Sequence, residues 1–321
     1  MSVQLNEEQL EFLKAARRAL SLKQVSRESG LRYAVARRIL RELSGVVAFR
    51  FLVDFPVIKL MPAALLASGG CPTWLACTFV SKLEGEHEFQ LCLGLAPAKK
   101  VLWGEQEENG VLRGLELVFW DPSGFPLGRA RRPSEEDYAL PEEPRVYALR
   151  PDVVDAALLS FKLDAPFLRV FTAYGRARSL DDSLPNLTTQ AVEYHFKRHV
   201  KPAWTGNAAY LLIPDSSIPV QVYLVEGWRS CALARVTSTL TGYRFALLDK
   251  KRALIVSQFP AREKVEFYRA VRALEVRNVY GELIVPPGEA AYKRPLLWKS
   301  LREGGWSHSF ECVDSPRPVF P

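Results

Sequence analysis

The chain has no uninterrupted apolar run near the roughly 18 residues that a membrane-spanning helix needs. Its first ten residues, MSVQLNEEQL, lack the basic-then-apolar order of a secretory leader. No membrane partner is expected, and the expected compartment is the cytoplasm. Cysteine is scarce: Cys71, Cys77, Cys92, Cys231 and Cys312 make five, an odd number, widely spread and without a CxxC pair. That pattern argues against a zinc ribbon or a disulfide scaffold and makes buried free thiols the expectation. Histidine is rarer still, with four residues, and no HExxH helix, GxSxG elbow or GxxxxGK[ST] loop occurs. Neither a cofactor, a metal nor an enzymatic activity is expected.

What is present suits a folded protein. Of 321 residues, 48% are apolar and 25% charged, enough for about two domains with cores of their own. Two Met, many Arg and abundant Pro suit a heat-adapted source. The net charge of +7 permits a polyanionic partner without demanding one. Residues 1–60 hold 11 basic against 6 acidic side chains, so most of the excess sits in under a fifth of the chain.

That first segment has a clear helical phase. Leu10, Leu13 and Ala16 recur at three-residue intervals in a helix from Glu7 to Arg18. Ser21 caps a short second helix, Leu22–Ser29, and Gly30 supplies the positive φ of a tight turn. In Leu31–Leu43 a rotation of about 100° per residue puts Val35, Ala36, Ile39 and Leu43 on one side and Tyr33, Ala34, Arg37, Arg38 and Arg41 on the other. Gly45–Asp54 then alternates like a wing strand. This is the pattern of a helix-turn-helix whose second element shows a basic stripe to the major groove of double-stranded DNA. Arg37 and Arg41 lie one turn apart, with Arg38 at their edge, placed for guanine or phosphate. Arg32 and Tyr33 reach the backbone or base edges, and Arg50 is expected as a wing contact. The plainer alternative is a trihelical packing unit whose charge is a solvated face.

The order recurs. A helix over Leu187–Val200 follows a short Ser179–Pro185 segment and an earlier Asp164–Tyr174 segment, with Asn186 in the place of Gly30, and Ala209–Asp215 lines up with Ala48–Asp54. After the first unit the expected elements are strand Trp74–Lys82, helix Glu86–Leu95, strands Lys99–Gln106 and Val111–Trp120, and a late strand Arg145–Leu149. After the second they are strand Val220–Glu226, helix Trp228–Val236, strands Gly242–Asp249 and Arg252–Phe259, helix Ala261–Glu275 and strand Asn278–Val285, a βαββαβ set. The reading is therefore α+β: a winged helix-turn-helix followed by a ferredoxin-like unit, repeated twice. Its boundaries are 1–60, 61–150 (a degenerate ferredoxin-like half, since Gly124–Pro144 reads as loop), 151–218 and 219–321. The tail from Gly288 is expected to wrap over the second half.

With SLKQVSRESGLRYAVARRILREL followed by GVVAFRFLVD over Leu22–Val57, the chain resembles the Lrp/AsnC family of prokaryotic transcription regulators. The resemblance implies DNA binding by the first part, and association or sensing of a small-molecule effector by the ferredoxin-like part. Two copies in one polypeptide would imitate the family's dimer as an intramolecular pseudo-dimer; a homodimer is the other arrangement. In the second copy Thr188, Gln190, Tyr194, Lys197 and Arg198 project outward as DNA contacts, with Thr189 and Lys201 beside them. His195 and His199 have the i, i+4 spacing of a metal pair. No nearby third ligand is visible, so both are expected to pack at the helix edge or approach phosphate. A sequence-specific DNA-binding regulator is the leading reading. The alternatives are a winged-helix adaptor in a protein complex, or an enzyme resembling the siroheme decarboxylases, which share this plan.

Overall fold

The computed structural model describes residues 4–103, 111–125, 128–144, 150–303 and 305–315. Asn6 starts helix α1 (Glu7–Ala16) with a capping box: its side chain accepts from the Gln9 N–H while the Gln9 side chain accepts from the Asn6 N–H. Ser21 caps α2 (Leu22–Ser29), and Gly30 ends it in the left-handed region at φ 71°. Helix α3 (Tyr33–Leu43) buries Ala36, Ile39 and Leu43, and strand β1 (Val47–Val53) follows.

Helix α4 (Ala98–Trp103) lies among the strands that follow, and farther along come α5 (Val153–Lys162), α6 (Val170–Arg178) and α7 (Thr189–His195). Helix α7 runs on through a π turn (Phe196–Val200) and a last turn, α8 (Lys201–Ala203), into strand β7 (Trp204–Leu211). Strands β1 and β7 pair antiparallel from Val47 opposite Leu211 to Val53 opposite Trp204, so each trihelical unit contributes one strand to a shared two-stranded sheet. Asn207 in β7 fastens the units further. Its Nδ2 donates to the carbonyls of Ala16 and Ala19 at 2.8 and 2.6 Å, at the end of α1.

Between the units run β2 (Leu60–Ala67), β3 (Ala76–Leu83), β4 (Phe89–Pro97), α4 (Ala98–Trp103), β5 (Val111–Arg113) and β6 (Glu116–Phe119). After β7 come β8 (Val220–Glu226), α9 (Ser230–Thr237), β9 (Tyr243–Asp249), β10 (Arg252–Ser257), α10 (Ala261–Ala273), β11 (Arg277–Asn278) and β12 (Leu283–Val285). The last elements among the described residues are β13 (Ala291–Pro295), the small pair β14 (Leu301–Arg302) and β15 (Gly305–Trp306), and β16 (Cys312–Asp314). One antiparallel sheet has the order β11-β8-β10-β9-β6, with β12 also on β8; the other has the order β16-β13-β3-β4-β2-β5. Strand β6 thus leaves its own half to pair with β9. One apolar cluster takes in Leu91 and Leu93 of the second sheet together with Val222, Leu247 and Leu254 of the first. Where β3 bulges between Cys77 and Phe79, Gly94 of β4 lets the backbones close up: a Cβ there would lie 2.3 Å from the Ala76 carbonyl.

The structure is α+β with antiparallel sheets, and its second βαββαβ stretch matches the expected elements closely. Elsewhere it differs. The segment expected as helix Glu86–Leu95 is strand β4, and that expected as strand from Lys99 is helix α4 as far as Trp103. Strand β4 is central and buried on both faces, so its apolar run carries no strand alternation to read. Strand β2 was not anticipated, for the same reason, and Arg145–Leu149 lies outside the described residues. In the second unit the first helix is Val153–Lys162, ahead of the expected start; the Asp164–Tyr174 segment enters the second helix, α6, only from Val170, and Ser179–Pro185 is the linker after it. Asn186 is not at positive φ; its side chain accepts from Arg178 at 2.9 Å, within a linker longer than the tight turn at Gly30. The second strand begins at Trp204 rather than Ala209, because the helix before it ends at Ala203.

Two further expectations change. The tail does not wrap the second half: β13 pairs with β3, Leu297 N–H donates to Ser160 of α5 at 3.1 Å, and Trp298 Nε1 donates to Asp181 at 2.8 Å. Cys71 and Cys92 are not free thiols but a disulfide, while Cys77 and Cys231 are buried free thiols and Cys312 is free and partly exposed. Among the described residues no helix is long and apolar enough to cross a membrane.

Candidate functional site

Helix α3 divides as its periodicity requires. Ala36, Ile39 and Leu43 face α1 and α2, and Arg32, Tyr33, Arg37, Arg38 and Arg41 are exposed, Tyr33 at 50%. The five do not have equal freedom. Arg38 is held between Glu8 at 2.9 Å and Glu42 at 3.4 Å, which spends its charge within the protein. Arg32, Arg37 and Arg41 form no ion pair or hydrogen bond through their side chains among the described residues. Arg37 and Arg41, one helical turn apart, therefore present two uncommitted guanidinium groups on one face.

Arg50 is elsewhere. It is 2% exposed in β1, donates to the Phe49 carbonyl at 2.8 Å and to the Tyr210 hydroxyl at 2.7 Å, and lies 5.3 Å from the Tyr210 ring centre. Its guanidinium is turned into the protein and bonded there, which removes it as a wing contact. The expectation failed on a partner 160 residues away.

In the second unit Thr188, Gln190, Tyr194, Lys197 and Arg198 are all exposed. Thr188 caps α7, accepting from the Ala191 N–H at 3.3 Å, and Lys197 pairs with Glu193 at 3.1 Å. On this face Arg198 and Lys201 form no ion pair among the described residues.

His195 and His199 are neither edge packing nor phosphate ligands in waiting. Both turn Nδ1 toward the start of α5. His195 Nδ1 lies 3.1 Å from Asp155 Oδ1 and 3.2 Å from Asp152 Oδ2; His199 Nδ1 lies 2.9 Å from Asp155 Oδ2. The carboxyls are oriented by their helix. Asp152 Oδ1 accepts from the Val154 and Asp155 N–H groups, and Asp155 returns a bond to the Asp152 N–H, a capping box with two acids. The Asp155 side chain is 1% exposed, and burial raises its pKa above the ordinary carboxyl range, with the Asp152 N–H and His199 opposing. Sequence reasoning named the two histidines but missed Asp152 and Asp155. The one signal available was the Asp-x-x-Asp start of an apolar stretch, which reads as a cap alone.

No protein-family model matches the chain, and no curated protein matches it. Among solved structures it is similar to the crystal structure of the siroheme decarboxylase NirDL, with 13% identity over 87% of this chain and 91% of that one and a TM-score of 0.40. That structure is of an enzyme, and the expectation that this chain has no enzymatic activity is not kept.

Proposed function

We propose that the chain is a double-stranded-DNA-binding regulator that places α3 in the major groove. The observation that carries this reading is the α3 face, where Arg37 and Arg41 stand exposed and unpaired one turn apart, with Arg32 and Tyr33 at the helix start. A protein surface that spends no acid on neutralising such groups leaves them for an anionic partner. We read the architecture as two divergent copies of a winged helix-turn-helix with a ferredoxin-like sheet, joined as a pseudo-dimer. Three features support it: the β1–β7 pairing, the β12-β8-β10-β9 order, and the matching β5-β2-β4-β3 order, in which α4 is short and the helix between β2 and β3 is missing. A small-molecule effector would sit in the cleft of about 740 Å³ between the sheets, which Leu66, Leu112, Leu254, Tyr280, Glu226 and Arg252 line.

The test is fluorescence anisotropy with labelled duplex, scrambled duplex and single strand across a salt series. Duplex preference with a steep salt slope is expected. In the Arg37→Ala, Arg41→Ala variant the slope should fall by about 1.8 if both hold phosphates, at about 0.9 per phosphate. If they read bases, each should cost about 1–3 kcal/mol, confined to the preferred sequence. Duplex binding unchanged in this variant, or no binding at low salt, refutes the reading.

A further inference from the structure

We propose that Asp152, Asp155, His195 and His199 bind a divalent transition-metal ion, and that zinc is the ion their donors suit. One ligand atom from each of the four residues lies within 4.8 Å of all the others. The individual contacts of 2.9–3.2 Å are a few tenths of an ångström short of the about 3.3–3.5 Å edge of a tetrahedron with zinc ligands at about 2.0–2.2 Å. A small outward movement of side chains would admit the ion. Two imidazole nitrogens and two carboxylate oxygens match zinc and its neighbours; calcium and magnesium prefer all-oxygen sites, and soft ions prefer sulfur.

Three observations favour a cation over hydrogen bonding alone. Among the described residues no Lys or Arg forms an ion pair with either carboxylate, although two acids converge here and one of them is buried. The helix that carries the histidines widens into a π turn over Phe196–Val200, a distortion frequent at functional sites. Asp155 and His199 also line a cavity of about 220 Å³ with Leu159, Val200, Ala203 and Arg150, leaving room for a water beside the ion. A bound metal would tie the start of α5 to the end of α7 and so set the angle of the third helix of this unit.

The experiment uses the full chain stripped with a chelator, then titrated with Zn²⁺ and with Co²⁺. Expected are one ion per chain, a rise in Tm on adding Zn²⁺, and the visible bands of tetrahedral Co²⁺ without a thiolate charge-transfer band. The double variant His195→Gln, His199→Gln should lose uptake, and Cys77→Ser should keep it. The absence of stoichiometric uptake by the unaltered chain, uptake undiminished in the histidine variant, or a thiolate band would each overturn the proposal. The cobalt spectrum is read on the unaltered chain, so the proposal is decided even where the variant does not fold.

Discussion

Replacing Asn207 by Ala should loosen the first helical unit from the strand that pairs with it. Asn207 is 3% exposed, and its amide nitrogen satisfies the carbonyls of Ala16 and Ala19, while its Oδ1 accepts from Trp204 Nε1 at 3.1 Å. The Ala16 carbonyl ends α1 and otherwise accepts only from the Ala19 N–H at 3.4 Å, while the Ala19 carbonyl lies in the turn that follows. Truncation leaves the Ala19 carbonyl dry, at about 1–3 kcal/mol, and the Ala16 carbonyl with one long bond, so the loss should be about 3 kcal/mol. With about 2.1 cal/mol/K of unfolding entropy per residue over 321 residues, a loss of about 3 kcal/mol lowers Tm by about 4–5 °C. Asn207→Asp should be worse than Ala, since it keeps the volume and points an anion at two carbonyl oxygens. Urea unfolding followed by circular dichroism measures both. An Ala variant within about 0.5 kcal/mol of the parent, in the range of an ordinary surface change, or an Asp variant more stable than Ala, would refute the assignment of this side chain as the link between units.

Gly94→Ala should destabilise by about 3 kcal/mol or more, because the new Cβ meets the Ala76 backbone and neither strand can retreat. Gly69→Ala, with open space around it, is the control and should be neutral in the same urea titration. Lys162 is 1% exposed; its Nζ donates to the Pro166 and Leu168 carbonyls, and burial lowers its pKa to about 8. From about pH 8 to the ordinary value of about 10.4, the folded chain has released this proton while the unfolded chain still holds it, so stability should rise with pH by about 3 kcal/mol. Lys162→Met should flatten that rise, and equal slopes in the two proteins would sink the argument. Reducing the Cys71–Cys92 disulfide, which spans 21 residues, should cost about 3 kcal/mol through freed chain entropy, read as a shift of the urea midpoint with and without reductant.

The local signals proved legible where they act within a turn or two. Ser21 as cap, Gly30 at positive φ and the alternation of buried and basic positions along Leu31–Leu43 need only neighbouring residues, and each was placed from the sequence. The βαββαβ stretch from Val220 was legible too, because each of its strands and helices carries its own period and punctuation. Strand β4 was not, since a strand buried on both faces loses the polar half of its pattern.

By itself the sequence determined the first amphipathic helical unit, the basic stripe of α3 and the i, i+4 spacing of His195 and His199. These depend on the intrinsic geometry of a helix, which is the same wherever the helix is put. Only the tertiary structure decided that Arg50 is buried, that Cys71 meets Cys92, and that Asp152 and Asp155 stand against the two histidines. His195 and Asp155 are 40 residues apart, and Arg50 and Tyr210 are 160 apart. Contacts at such separations are chosen by how whole elements pack, β1 against β7 and α5 against α7, and by the apolar area that packing removes from water. No local pattern encodes that choice.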